Sequence, residues 1–171
     1  MERTEGKLIS ISSVVGMEKI TSQADTIGIV FPVFYATNDC GIPLIISRFV
    51  QKLEGLNSKY VFAVCTSGNM PGTTLENLAK LIASKDGTLA SGFIIKMKDE
   101  NLSKEKQERM LADQKEKLDA VSKYVLARKK GKVETRGPSQ DTPCSGTLPC
   151  DKTFVFEKIP QAFRLEKFAF F

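Results

Sequence analysis

The chain has 171 residues, 42% of them hydrophobic and 26% charged, with a formal net charge of +5. That is the size and make-up of one globular domain with a single sizeable core. No apolar run approaches the roughly 18 residues of a membrane span, and the opening MERTEGKLIS is too charged for a secretory signal, so the expected compartment is the cytoplasm.

In chain order, KLISIS (Lys7 to Ser12) is a short β-prone run. TIGIVFPVF (Thr26 to Phe34), KYVFAVC (Lys59 to Cys65) and ASGFIIKM (Ala90 to Met97) are nearly continuous apolar runs. Strands of that kind are buried on both faces, which points to a parallel sheet. Helical patterns lie between them. In PLIISRFVQKLEG, Ile45, Phe49 and Leu53 recur every four residues, with Ile46 and Val50 alongside; Pro43 suits the first turn and Gly55 a stop. In TTLENLAKLIASKDG, Leu75, Leu78 and Ile82 share a face, Thr73 or Thr74 can cap the start, and Gly87 lies past the end. A long helix is expected from Ser103 to about Lys129, with Leu111, Leu118, Val121 and Val125 on one face. Alternating strands and helices give an α/β fold with a mostly parallel sheet. From residue 133 to 171 the pattern dissolves into a Gly-, Pro-, Ser- and Thr-rich linker. It ends in KIPQAFRLEKFAFF, which reads as an apolar helix needing a partner surface.

The basic residues concentrate in YVLARKKGKVETR, and aromatic residues do not interleave with them. The charge therefore reads as a solvated helix end rather than a nucleic-acid surface. The chain has no histidine, which removes the commonest general base, the serine triad and most zinc sites. Of the four cysteines, Cys65 closes an apolar run and reads as a small buried hydrophobe. Cys144 and Cys150 match neither zinc nor iron–sulfur spacing; they are either unrelated thiols or a reversible disulfide.

The informative stretches follow two of the strands. After TIGIVF comes PVFYATNDCGIP, and after KYVFAVC comes TSGNMPGTT. Ligands of open parallel sheets bind beyond the carboxyl ends of strands. Gly68 and Gly72 carry no Cβ, so backbone N–H groups there can approach a ligand, and Asn69 accepts the left-handed conformation. Phe34 and Tyr35 supply a flat apolar wall, which with polar amides suits an aromatic heterocycle. Against that stands the simpler reading, in which the glycines only turn the chain and the aromatic pair belongs to the core.

IGIVFPVFY, GIPLIISRFVQKL, KYVFAVCTSGNMPG and GFIIKMKDEN together resemble the flavodoxin-like domain of flavodoxin–ferredoxin fusion proteins of anaerobes. The resemblance runs from Lys7 to Lys132, so residues 1–132 are expected to be the domain and residues 133–171 a linker and apolar tail. It implies a three-layer flavodoxin-like fold that binds flavin mononucleotide (FMN). Pro32, Val33, Phe34 and Tyr35 would form one wall of the flavin site; Thr66, Ser67, Gly68, Asn69 and Gly72 would form the other through backbone amides. It further implies electron transfer with a redox partner protein of the ferredoxin kind, with no side chain acting as acid or base.

Such domains begin with a strand and a Ser/Thr/Gly-rich loop that cradles the FMN phosphate. This chain opens instead at the second strand, KLISIS, so the first strand is expected to be missing and FMN binding to be weak or absent without that loop. The link FYATNDCGIP is also longer than usual, and no ferredoxin cysteines follow Cys150. The alternative reading is a non-catalytic, truncated flavodoxin-like remnant. It would act as an interaction module and self-associate through Phe163, Phe168, Phe170 and Phe171.

Overall fold

The computed structural model describes residues 5–33, 42–68, 71–97 and 103–135, with 166–170 and 5–7 described through their backbone. The elements run β1 (Glu5–Leu8), α1 (Ile11–Val14), β2 (Thr26–Pro32), α2 (Leu44–Lys52), β3 (Tyr60–Ser67), α3 (Thr74–Ala83), β4 (Leu89–Lys96), α4 (Lys104–Leu126), β5 (Lys132–Val133) and β6 (Glu166–Phe170). The strands form one sheet in the order β1-β6-β2-β3-β4-β5, and every pairing is parallel. This is an α/β, three-layer, flavodoxin-like arrangement.

The apolar runs β2, β3 and β4 lie side by side, in register from Thr26 opposite Tyr60 to Pro32 opposite Thr66 and, after a shift between Val61 and Phe62, from Phe62 opposite Ser91 to Ser67 opposite Lys96. Successive side chains of a strand point to opposite faces, and β3 divides its residues that way. Val61, Ala63 and Cys65 join Ile46, Phe49 and Val50 of α2 and Leu75, Leu78 and Ile82 of α3 on one face. Tyr60, Phe62 and Val64 join Phe93 of β4 and Val121 and Val125 of α4 on the other. Burying each such side chain contributes about 1.5–3 kcal/mol, which is why these runs have no polar alternation.

Helix α2 stops before the expected Gly55. Leu53 is already extended and bridges Ile20, whose N–H bonds the Lys52 carbonyl at 2.8 Å. Tertiary pairing therefore ends this helix at Lys52, and Gly55 follows in the left-handed conformation with φ +69°. Gly87 is required by packing, since a Cβ there would lie 2.8 Å from Leu56 Cβ and 2.9 Å from Ile82 Cγ2. KLISIS is only partly strand: β1 ends at Leu8, and Ile11–Val14 is a short helix whose Ile11 and Val14 pack on the α2 side. In α4, Leu111 is 51% exposed, so the expected apolar face begins only at half-buried Leu118 and the buried Val121 and Val125.

The C-terminal stretch differs most from expectation. Residues 166–170 are a strand rather than an apolar helix. This strand lies between β1 and β2, with Ala169 opposite Lys7 on one side and Ile27 on the other. A β-prone FAF segment placed between two open parallel edges pairs on both sides at Ala169 and Phe170, which favours the strand there. Among the described residues β6 is also the strand through which β1 joins the sheet.

Candidate functional site

All strands are parallel, so the carboxyl ends of β2, β3 and β4 emerge at one end of the sheet. They are laced together there. Val33 N–H donates to the Thr66 carbonyl at 2.7 Å, and Met97 N–H donates to the Ser67 carbonyl at 2.7 Å. The structure thus brings Pro32, Val33, Thr66, Ser67 and Gly68 to neighbouring strand ends. Gly72 follows at the entry to α3 with φ +53°, a left-handed turn position that itself favours glycine. A Cβ on Gly68 would meet nothing within 4 Å, so open space lies in front of that loop. Phe34, Tyr35 and Asn69 lie outside the described residues, as do Cys144, Cys150 and Phe163.

The chain leaving β3 enters α3 on one face of the sheet, and the chain leaving β4 enters α4 on the other. Where adjacent strands send their connections to opposite faces, a crevice opens beyond their carboxyl ends. A cavity of about 650 Å³ occupies that position. Its wall from β3 is Ser67, Gly68 and Pro71, and its wall from β4 is Ile94, Ile95 and Lys96. One flank of α4 closes it with Lys106, Arg109, Met110, Asp113, Gln114 and Lys117, and Glu134 and Thr135 complete the lining. The volume falls within the roughly 300–1,000 Å³ of small-molecule sites. Pro32, Val33, Thr66 and Gly72 stand nearby without lining it.

Its charges divide into a compensated and an uncompensated set. Glu134 Oε2 accepts from Ile94 N–H at 3.0 Å and from Lys117 Nζ at 2.8 Å, and Lys132 Nζ lies 3.6 Å from Oε1. Burial pushes the Glu134 carboxyl up, but the Lys117 and Ile94 hydrogen bonds and the two lysine charges together hold it below the usual carboxylate range. Glu134 and Lys117 therefore neutralise one another. Lys96, Lys106 and Arg109 remain, facing the single carboxylate of Asp113, and none of the three forms an ion pair among the described residues. Gln114 Nε2 donates to the Lys96 carbonyl and ties α4 to the end of β4. The link 98–102, with Lys98, Asp99 and Glu100, lies outside the described residues.

Cys65 sits one turn of the pleat below this end of the sheet and is buried, and burial pushes its thiol up to about 12. A thiol so shifted is inert at neutral pH.

Of the residues singled out from the sequence, Ser67 and Gly68 line this cavity; the α4 flank was not among them. The signal was available. Positions 106, 109, 110, 113, 114 and 117 follow the three-and-four spacing of one helix flank, and SKEKQERMLADQKEK puts three cations and Met110 on it. Apolar periodicity alone drew attention to Leu111 instead.

No helix among the described residues is long and apolar enough to cross a membrane. Comparison with known proteins finds no matching family description, no matching curated protein and no matching solved structure.

Proposed function

We propose that this chain is an FMN-binding, flavodoxin-like electron-transfer module that works in the cytoplasm with a ferredoxin-like redox partner. One observation carries the reading: a ligand-sized cavity lies where the β3 and β4 connections part, in front of the Gly68 loop. The residues present fit the group. Pro71, Ile95 and Met110 give an apolar surface for a flat ring, and Ser67 and Gly68 give the polar strand end beside it. FMN, when bound, supplies storage for one or two electrons. The chain's own task is to hold the ring, exclude water from one side and set the local charge. No acid or base side chain is required of it.

A saturable, one-to-one quenching of FMN fluorescence by the full chain, with flavin absorbance retained after gel filtration, is the expected result. A protein that stays colourless and leaves FMN fluorescence unchanged at millimolar concentration contradicts the reading.

A further inference from the structure

The first three turns of α4 are exposed on the flank that borders the cavity, so cations there keep their hydration while standing within reach of a bound ligand. Lys106 and Arg109 line the cavity on that flank, and Lys96 meets them from the end of β4. The cavity's carboxylates do not balance them. Among the described lining residues Glu134 is held by Lys117, Lys132 and the Ile94 amide, which leaves Asp113 as the one further carboxylate. Deeper in, Ile94, Ile95, Pro71 and Met110 give apolar contact. The cavity thus pairs an apolar floor with a cationic rim, at the sheet end where ligands of this architecture bind. Such a site recognises a molecule with a flat apolar body and a phosphate at its edge, because phosphate oxygens accept charge-assisted hydrogen bonds from guanidinium and ammonium groups.

We propose that Lys96, Lys106 and Arg109 form a phosphate-binding rim for the ligand of this cavity. The rim holds the phosphate of FMN from helix α4 rather than from a loop after the first strand. This rests on the flavin reading above.

The test titrates the full chain with FMN and with riboflavin, which differ only in the phosphate, at low and at high salt. The wild-type chain is expected to bind FMN at least about tenfold more tightly than riboflavin, one charge-assisted hydrogen bond being worth that much. The advantage should shrink at high salt. It should vanish in the double variant Lys106→Ala/Arg109→Ala and persist in Lys115→Ala, on the same helix but outside the cavity lining. All three positions are exposed and alanine suits a helix interior, so circular dichroism should show every variant folded. Equal binding of both flavins, or an FMN advantage that the double variant keeps, overturns the rim and leaves the flavin site standing. Failure of both flavins to bind overturns the rim together with the flavin reading.

Discussion

The two halves of α4 run along the same sheet and do different work. The second half buries Val121 and Val125 against Phe62, Val64 and Phe93. Its end is pinned by Tyr60, whose hydroxyl donates to the Lys129 carbonyl at 2.6 Å and lies 3.1 Å from Ser91 Oγ. The first half buries no side chain fully and lines the cavity with Lys106, Arg109, Met110, Asp113 and Gln114. The helix is therefore anchored at its carboxyl end, and its amino end is shaped for polar contact. Stability should be sensitive in one half and ligand affinity in the other.

The largest effect expected on stability is at Phe62, which is 1% exposed beneath the second half. Phe62→Ala should cost about 3–5 kcal/mol in a denaturant titration, and a loss under 1 kcal/mol would break the distinction between the halves. Tyr60→Phe should follow at about 1–3 kcal/mol, because it leaves the Lys129 carbonyl and Ser91 hydroxyl short of a partner. Amide exchange in the last turns of α4 should speed up with it. By contrast Lys106→Ala/Arg109→Ala should change stability by no more than about 0.5 kcal/mol.

The smallest effect is a pH dependence. The folded Glu134 carboxyl is held below its ordinary value, so its contribution is present above the unfolded glutamate pKa of about 4.3 and is lost as pH falls through the lower folded value. The stability gap between wild type and Glu134→Gln should be widest at neutral pH and close below about pH 4. A gap that widens on acidification would contradict the bonding described for Glu134. Cys65 offers a check on the buried side of the same sheet end. With Cys40, Cys144 and Cys150 replaced by serine, the remaining thiol should resist alkylation in the native protein at pH 8 and react once the chain is denatured.

The central sheet was legible in the sequence because β2, β3 and β4 are buried on both faces, and continuous apolar runs are the direct imprint of that burial. Leu75, Leu78 and Ile82 were legible for the same reason in helical period. The end of α2 was not, because it is set by Ile20 pairing with Leu53 across more than thirty residues. Nor was β6. EKFAFF carries no local mark distinguishing a strand inserted between β1 and β2 from an apolar helix, since the two open edges that select the strand are made elsewhere in the chain. In the candidate site, Ser67 and Gly68 announced themselves as small residues after a buried strand. The α4 flank stayed hidden because its cations resemble any solvated helix surface until the cavity is seen against them.

Hydrogen–deuterium exchange of the full chain with and without FMN tests the central claim most directly, namely that ligand binds where the β3 and β4 connections diverge. The account predicts slowed exchange at Ser67, Gly68, Lys96 and Met97 and in the first three turns of α4, with α3 and the second half of α4 unchanged. Protection confined to other segments, or none at saturating FMN, would contradict it.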